Sequence, residues 1–192
     1  MRDVAEAGLK RAIEVHQEFL SSGLDQAVAA AQLVSRCLAG GGKLMAMGNG
    51  GSAADAQHLA AELVNRFMME RPGLPGLALT TDSSVLTSVA NDYDFKEIFS
   101  KQIKALASEG DVVLGISTSG RSPNVLAGLA AARQRGLATV GLTGRHGESM
   151  EPLCDVLIQV PSDETPRIQE IHAFCVHLIC ELVDLTLFGR SQ

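Results

Sequence analysis

The sequence predicts a three-layer α/β domain, with a five-stranded parallel sheet sandwiched between helices and two further helices at the N-terminus. Three observations point there. From Lys43 onward, short apolar runs alternate with stretches of helical periodicity. Those runs are continuous rather than alternating, as strands covered on both faces require. Glycine- and serine-rich turns follow several of the runs directly.

Residues 2–20 set Ala5, Leu9, Ala12, Ile13, Phe19 and Leu20 near helical spacing, and the charges between them make an amphipathic helix rather than a signal peptide. A second, alanine-rich helix runs from about Leu24 to Leu38 and ends at "AGGG". "KLMAM" (Lys43 to Met47) is the first strand, and a helix follows to about Arg66. "RPGLPG" breaks the chain, and "LALTT" (Leu77 to Thr81) reads as the second strand. Short helices fill Ser83 to Ala90 and Asp94 to Ala107. "DVVLGIS" (Asp111 to Ser117) is strand three, and the helix after it starts with Pro123 in its first turn and stops before Gly136. "ATVGLTG" and "DVLIQV" supply strands four and five, and a long helix from about Pro166 to Leu187 closes the chain. With no linker or repeat in view, residues 1–192 read as one domain.

Composition narrows the function. Apolar residues are 46% and aromatic ones 4%, so aliphatic side chains must build the core. A net charge of −6 with no long run of one sign speaks against a nucleic-acid surface. The four cysteines form no CxxC pair, which predicts reduced core thiols rather than a zinc knuckle. No apolar run reaches the length of a membrane span, so a cytoplasmic protein is expected, with neither membrane nor nucleic acid as partner.

Ligands of such folds bind beyond the carboxyl ends of the strands. Three turns there precede helices: "GNGGS" (Gly48 to Ser52), "TTDSS" (Thr80 to Ser84) and "STSGRS" (Ser117 to Ser122). Free N–H groups and the positive end of a helix dipole attract an anion, and hydroxyls add donors without bulk. Helix capping alone explains any single turn, but "STSGRS" holds more hydroxyls than capping needs. "GNGGSA" matches a dinucleotide fingerprint only formally, because Glu70 comes before strand two and Asp82 too late to hold a ribose. No GK[ST] follows the glycines, which excludes a P-loop. A sugar phosphate needs only the anion cradle and polar groups for its hydroxyls.

His58 and Glu62 lie i, i+4, roughly 40° apart around their helix. In the last helix Gln169 and His177 are about 80° apart, whereas His172 falls about 140° from His177 and reads as a packing histidine. Together His58, Glu62, Gln169 and His177 would offer donors suited to zinc and also an acid–base pair. Spacing leaves open whether the two helices meet.

"GNGGSAADAQHLAAEL", "ANDYDF", "DVVLGISTSGRSPNV" and "RIQEIH" resemble the phosphoheptose isomerases, whose sugar isomerase (SIS) fold is flavodoxin-like. The resemblance covers nearly the whole chain. It implies an aldose–ketose isomerase that converts sedoheptulose 7-phosphate to D-glycero-D-manno-heptose 7-phosphate, toward the heptose of lipopolysaccharide or other glycans. It implies Glu62 as base, His177 as its acid–base partner, and one zinc ion per site on His58, Glu62, Gln169 and His177. Substrate contacts map to Asn49, Gly50, Gly51, Ser52, His58, Glu62, Asn91, Asp92, Ser117, Thr118, Ser119, Ser122 and Gln169. It also implies a homotetramer with sites between subunits, giving residues 1–40 a packing role. Pro166 departs from members that carry an acid before the arginine of "RIQE". The alternative is a non-catalytic SIS protein that binds the replication initiator DnaA, which "SAADAQH", "NRF", "ERPGLP" and "DLTLF" also resemble. Glu62 and His177, replaced in that relative, favour the enzyme. A sugar-phosphate sensor fused to a DNA-binding element ranks last, since no helix-turn-helix or basic stripe is visible.

Overall fold

The computed structural model describes residues 1–189; residues 190–192, the end of the range read as one domain, lie outside the described residues. Seven α-helices and five strands follow the expected alternation: α1 Arg2–Ser22, α2 Leu24–Ala39, β1 Leu44–Gly48, α3 Gly51–Val64, β2 Gly76–Ala78, α4 Ser83–Asp92, α5 Ile98–Leu106, β3 Val112–Ser117, α6 Pro123–Gln134, β4 Ala138–Thr143, β5 Val156–Gln159 and α7 Thr165–Phe188. All strand pairs are parallel, in the order β2-β1-β3-β4-β5. This is the flavodoxin-like order, with its reversal between β1 and β3.

The alternation of side chains along each strand splits the core in two. Leu44, Ala46, Val112, Leu114, Ile116, Val140 and Leu142 pack with α2, α3 and α7. Met45, Met47 and Val113 turn to the other face and pack with α5 and α6. Each fully buried Leu, Ile or Val contributes about 1.5–3 kcal/mol, so an aliphatic core of this size needs few aromatics. At the amino end of the strands, Asp111 accepts hydrogen bonds from Lys43 N (2.9 Å), Lys43 Nζ (2.5 Å) and Ser108 N (2.7 Å), pinning β1 to β3. Burial alone would raise this carboxyl's pKa, but the lysine and the two amides outweigh it and hold the group below its ordinary value.

Three expectations need correction. β2 is shorter and begins earlier than Leu77–Thr81: Leu79 N still bonds Ala46 O at 2.9 Å, after which Thr80 and Thr81 turn away. The helix expected over Asp94–Ala107 opens as a 3₁₀ turn at Phe95–Glu97, where Asp94 accepts from Lys96 N at 2.7 Å, before α5 proper. Finally, α7 is long and apolar enough by length and composition to cross a membrane. Its apolar side, including Ile171, Cys175, Val176, Ile179 and Val183, is buried in the core against the other helices and the sheet. The cysteines meet expectation: all are free, Cys37, Cys175 and Cys180 are buried, and burial pushes the Cys175 and Cys180 thiols up to about 12.

Candidate active site

The loops after β1 and β3 leave from neighbouring strands at the reversal of the sheet order, where a crevice forms without any insertion. Between β1 and α3, Gly50 takes φ = 55°, a left-handed conformation that a side chain would strain. Gly51 is constrained differently, because a Cβ there would overlap the amide of Gln169 on α7. No side chain caps the first turn of α3, and Ser52 is buried within it.

After β3, Ser117 Oγ and Ser122 Oγ lie 2.9 Å apart and Arg121 N donates to Ser119 Oγ at 3.2 Å. Ser122 precedes α6 without capping it. The turn borders a cavity of about 320 Å³ whose lining includes Thr118, Ser119, Arg121, Arg145, His146 and Ser162. Asp163 pairs with Arg145 (3.5 Å) and His146 (3.0 Å), whereas Arg121 has no carboxylate within 4.0 Å among the described residues. The sequence reading missed these cations, although "GRS" and "GRH" after β3 and β4 carried the signal. The third turn, "TTDSS", is a different matter. Asp82 accepts from Val85 N at 3.0 Å, so a carboxylate already occupies the start of α4 and an anion there would be repelled.

The two helices left open by spacing do meet within one chain. His58 Nε2 lies 3.0 Å from Glu62 Oε1, and the His58 and His177 rings stand edge to face with centroids 4.9 Å apart. Phe67 stacks on the His177 ring with centroids 5.5 Å apart. Glu62 is partly buried and His177 exposed. One turn before His58, burial raises the Asp55 carboxyl, an effect partly opposed by His58 itself. Among the described residues, no group of three His, Cys, Asp or Glu side chains already converges as a metal cluster. The donor types nevertheless fit a borderline divalent ion: two adjacent imidazoles, a carboxylate bonded to one of them, and Gln169 on the same helix as His177.

Asn49 is tied to a residue the sequence reading overlooked. Its amide donates to Asn124 Oδ1 at 2.9 Å and accepts from Asn124 Nδ2 at 2.7 Å, a reciprocal pair that joins the β1 loop to the start of α6. His172 is the packing residue it was read to be. It is fully buried, Nε2 donates to Thr143 O at 3.3 Å, Nδ1 lacks a partner among the described residues, and burial lowers its pKa to about 4. Asn91 and Asp92 stand apart. They are exposed at the end of α4 and bond to each other at 2.9 Å rather than to the rest of the site.

A hydroxyl-rich turn and a carboxylate beside two imidazoles, at the reversal of a five-stranded parallel sheet, suit a sugar-phosphate SIS domain, and the SIS-domain family model matches residues 9–144. The phosphoheptose isomerase of Solidesulfovibrio magneticus is 58% identical over 96% of this chain and 88% of its own. The solved phosphoheptose isomerase of Neisseria gonorrhoeae is 44% identical with a TM-score of 0.90, over 95% of this chain and 98% of its own. That of Francisella tularensis is 37% identical with a TM-score of 0.91, over 95% and 97% of the two chains. The chain belongs to the phosphoheptose isomerase family of SIS-domain enzymes.

Proposed function

We propose that this protein interconverts sedoheptulose 7-phosphate and D-glycero-D-manno-heptose 7-phosphate. The observation that carries the reading is the juxtaposition of Glu62, His58 and His177 across the α3–α7 seam. The phosphate sits on Ser117, Thr118, Ser119 and Ser122, near the guanidinium of Arg121. Asn49, Gly50, Gly51 and Ser52 face the sugar from the β1 loop, and Asn91 and Asp92 reach its hydroxyls in the assembled protein. Glu62 takes the proton from C1 of the open-chain ketose, giving an enediolate, and returns it to C2. His177 moves a proton from the C1 oxygen to the C2 oxygen, so the reaction balances without an external reductant. His58 holds the Glu62 carboxylate in place.

His58, Glu62, Gln169 and His177 would hold one zinc ion. Once bound, it would polarise the sugar's oxygens and stabilise negative charge on them. The exposed apolar residues Leu9, Ile13 and Leu20 on α1, together with the isolation of Asn91 and Asp92, support a homotetramer with sites between subunits. Four free cysteines support a cytoplasmic setting, and the product is a precursor for lipopolysaccharide heptose.

Incubating purified protein with sedoheptulose 7-phosphate tests the activity, and elemental analysis independently counts the metal. Aldose product and one zinc per site are expected. A folded, metal-replete protein that forms no aldose overturns the reading, and capture of DnaA by that inactive protein would establish the alternative.

A further inference from the structure

Two stretches that neither the serine turns nor the acid–base pair uses, "ERPGLP" and "DLTLF", meet inside the molecule. Arg71 comes from the first and Asp184 from the second, and their side chains are 1% and 5% exposed. Arg71 Nε donates to Asp184 Oδ1 at 2.7 Å. Its other nitrogens donate to the carbonyls at the end of α3: Nη2 to Glu62 O at 2.9 Å and Nη1 to Leu63 O at 2.8 Å. The guanidinium therefore caps the helix that carries His58 and Glu62 while gripping the helix that carries His177. A cation at a helix C-terminus also opposes the dipole there.

The position of this clasp is informative. Asp184 follows His177 by seven residues, which is two turns and about 20° around the helix, so both lie on one face of α7. On α3, Arg71 holds the main-chain carbonyl of Glu62 itself. A slide or rotation of one helix against the other would break the clasp and separate Glu62 from His177 together. We propose that Arg71 is a positioning residue, and that its bridge from the Glu62 carbonyl to Asp184 sets the register that holds His177 against His58 and the Glu62 bonded to it. What the positioned groups then do rests on the isomerase reading.

A merely structural role would give losses in proportion to unfolded protein, so the test separates folding from rate. Arg71→Lys keeps the charge beside Asp184 but cannot reproduce the planar fork. Folded Arg71→Lys is expected to lose about 10²-fold in kcat, the effect of a small misplacement of reacting groups. KM for sedoheptulose 7-phosphate should stay within about twofold, because the phosphate turn lies on β3 and α6. If Arg71→Lys does not fold, the double variant Arg71→Met with Asp184→Leu replaces the buried pair by apolar volume. The same fall in kcat is expected for it, and either variant turning over at the wild-type rate while folded overturns the proposal. NMR of the imidazole ring protons supplies a readout free of turnover. The edge-to-face contact of His58 and His177 should shift in the folded variants. Unchanged shifts would overturn the clasp, whereas a wild-type protein without isomerase activity would instead remove the proposed function.

Discussion

The α3–α7 seam and helix α4 both contribute to the proposed site, but they are built in opposite ways. The seam is set in the core. Leu59 and Leu63 of α3 and Val176, Ile179 and Val183 of α7 are fully buried, and the Arg71–Asp184 pair lies between them. α4 has no buried residue, and its Asn91 and Asp92 satisfy only each other. One chain thus gathers Glu62, His58 and His177 unaided and leaves Asn91 and Asp92, proposed for the sugar hydroxyls, on an open surface. The difference separates two jobs: the seam should control the rate of proton transfer, and α4 should control the grip on substrate once subunits assemble.

The hardest test of that division is Glu62→Gln. Loss of a positioned base should lower kcat by about 10³-fold or more with little change in melting temperature, because the side chain is only partly buried. Steady-state kinetics and a thermal melt on the same sample check it, and near-normal turnover would remove Glu62 from the chemistry.

Acid probes the packed half next. The pKa of His172 falls to about 4 on burial, below its ordinary 6.5, so the unfolded chain binds more protons between those values. Its contribution to stability is complete above about pH 6.5 and is lost as pH falls toward 4, amounting to roughly 3 kcal/mol. Asp111, held below 3.8, adds a separate loss only at lower pH. Denaturant melts across this range should show the two segments in order, and His172→Asn should flatten the upper one alone.

Asn124→Ala should cost about 1–3 kcal/mol, because it leaves the Asn49 amide without its reciprocal partner. It should also raise KM, and Asn124→Asp, which keeps one acceptor, should recover part of that loss. The smallest effect belongs to the open half. Asp92→Asn should raise KM by about tenfold or less, leave kcat and the melt near wild type, and do so only in the assembled protein. A large fall in kcat from this change would blur the division drawn above.

Much of this was legible in the sequence, for local reasons. Strand and helix alternation follows from apolar periodicity, and "STSGRS" announces a donor-rich turn because its hydroxyl count exceeds capping needs. His58 and Glu62 share a helix, so their pairing could be read from spacing. The meeting of α3 with α7 was reached through family resemblance and not from spacing, since 115 positions separate residues 62 and 177. Arg71 and Asn124 were not found at all. Arg71 looks like an ordinary polar residue in a loop and Asn124 like one at a helix start, and only the packed fold shows that both are buried and bonded to partners far along the chain. "TTDSS" misled because an aspartate that caps a helix and a loop that awaits an anion share the same composition.

The reversal between β1 and β3 carries one more consequence. Two diverging connections open a gap at the top of an otherwise continuous sheet, and the groups lining it hang from loops and helix ends while the strands below remain intact. Substituents along those rims could therefore be exchanged to accept a shorter or longer acyclic chain without disturbing the hydrophobic layers underneath. The architecture separates what is recognised from what keeps the molecule folded.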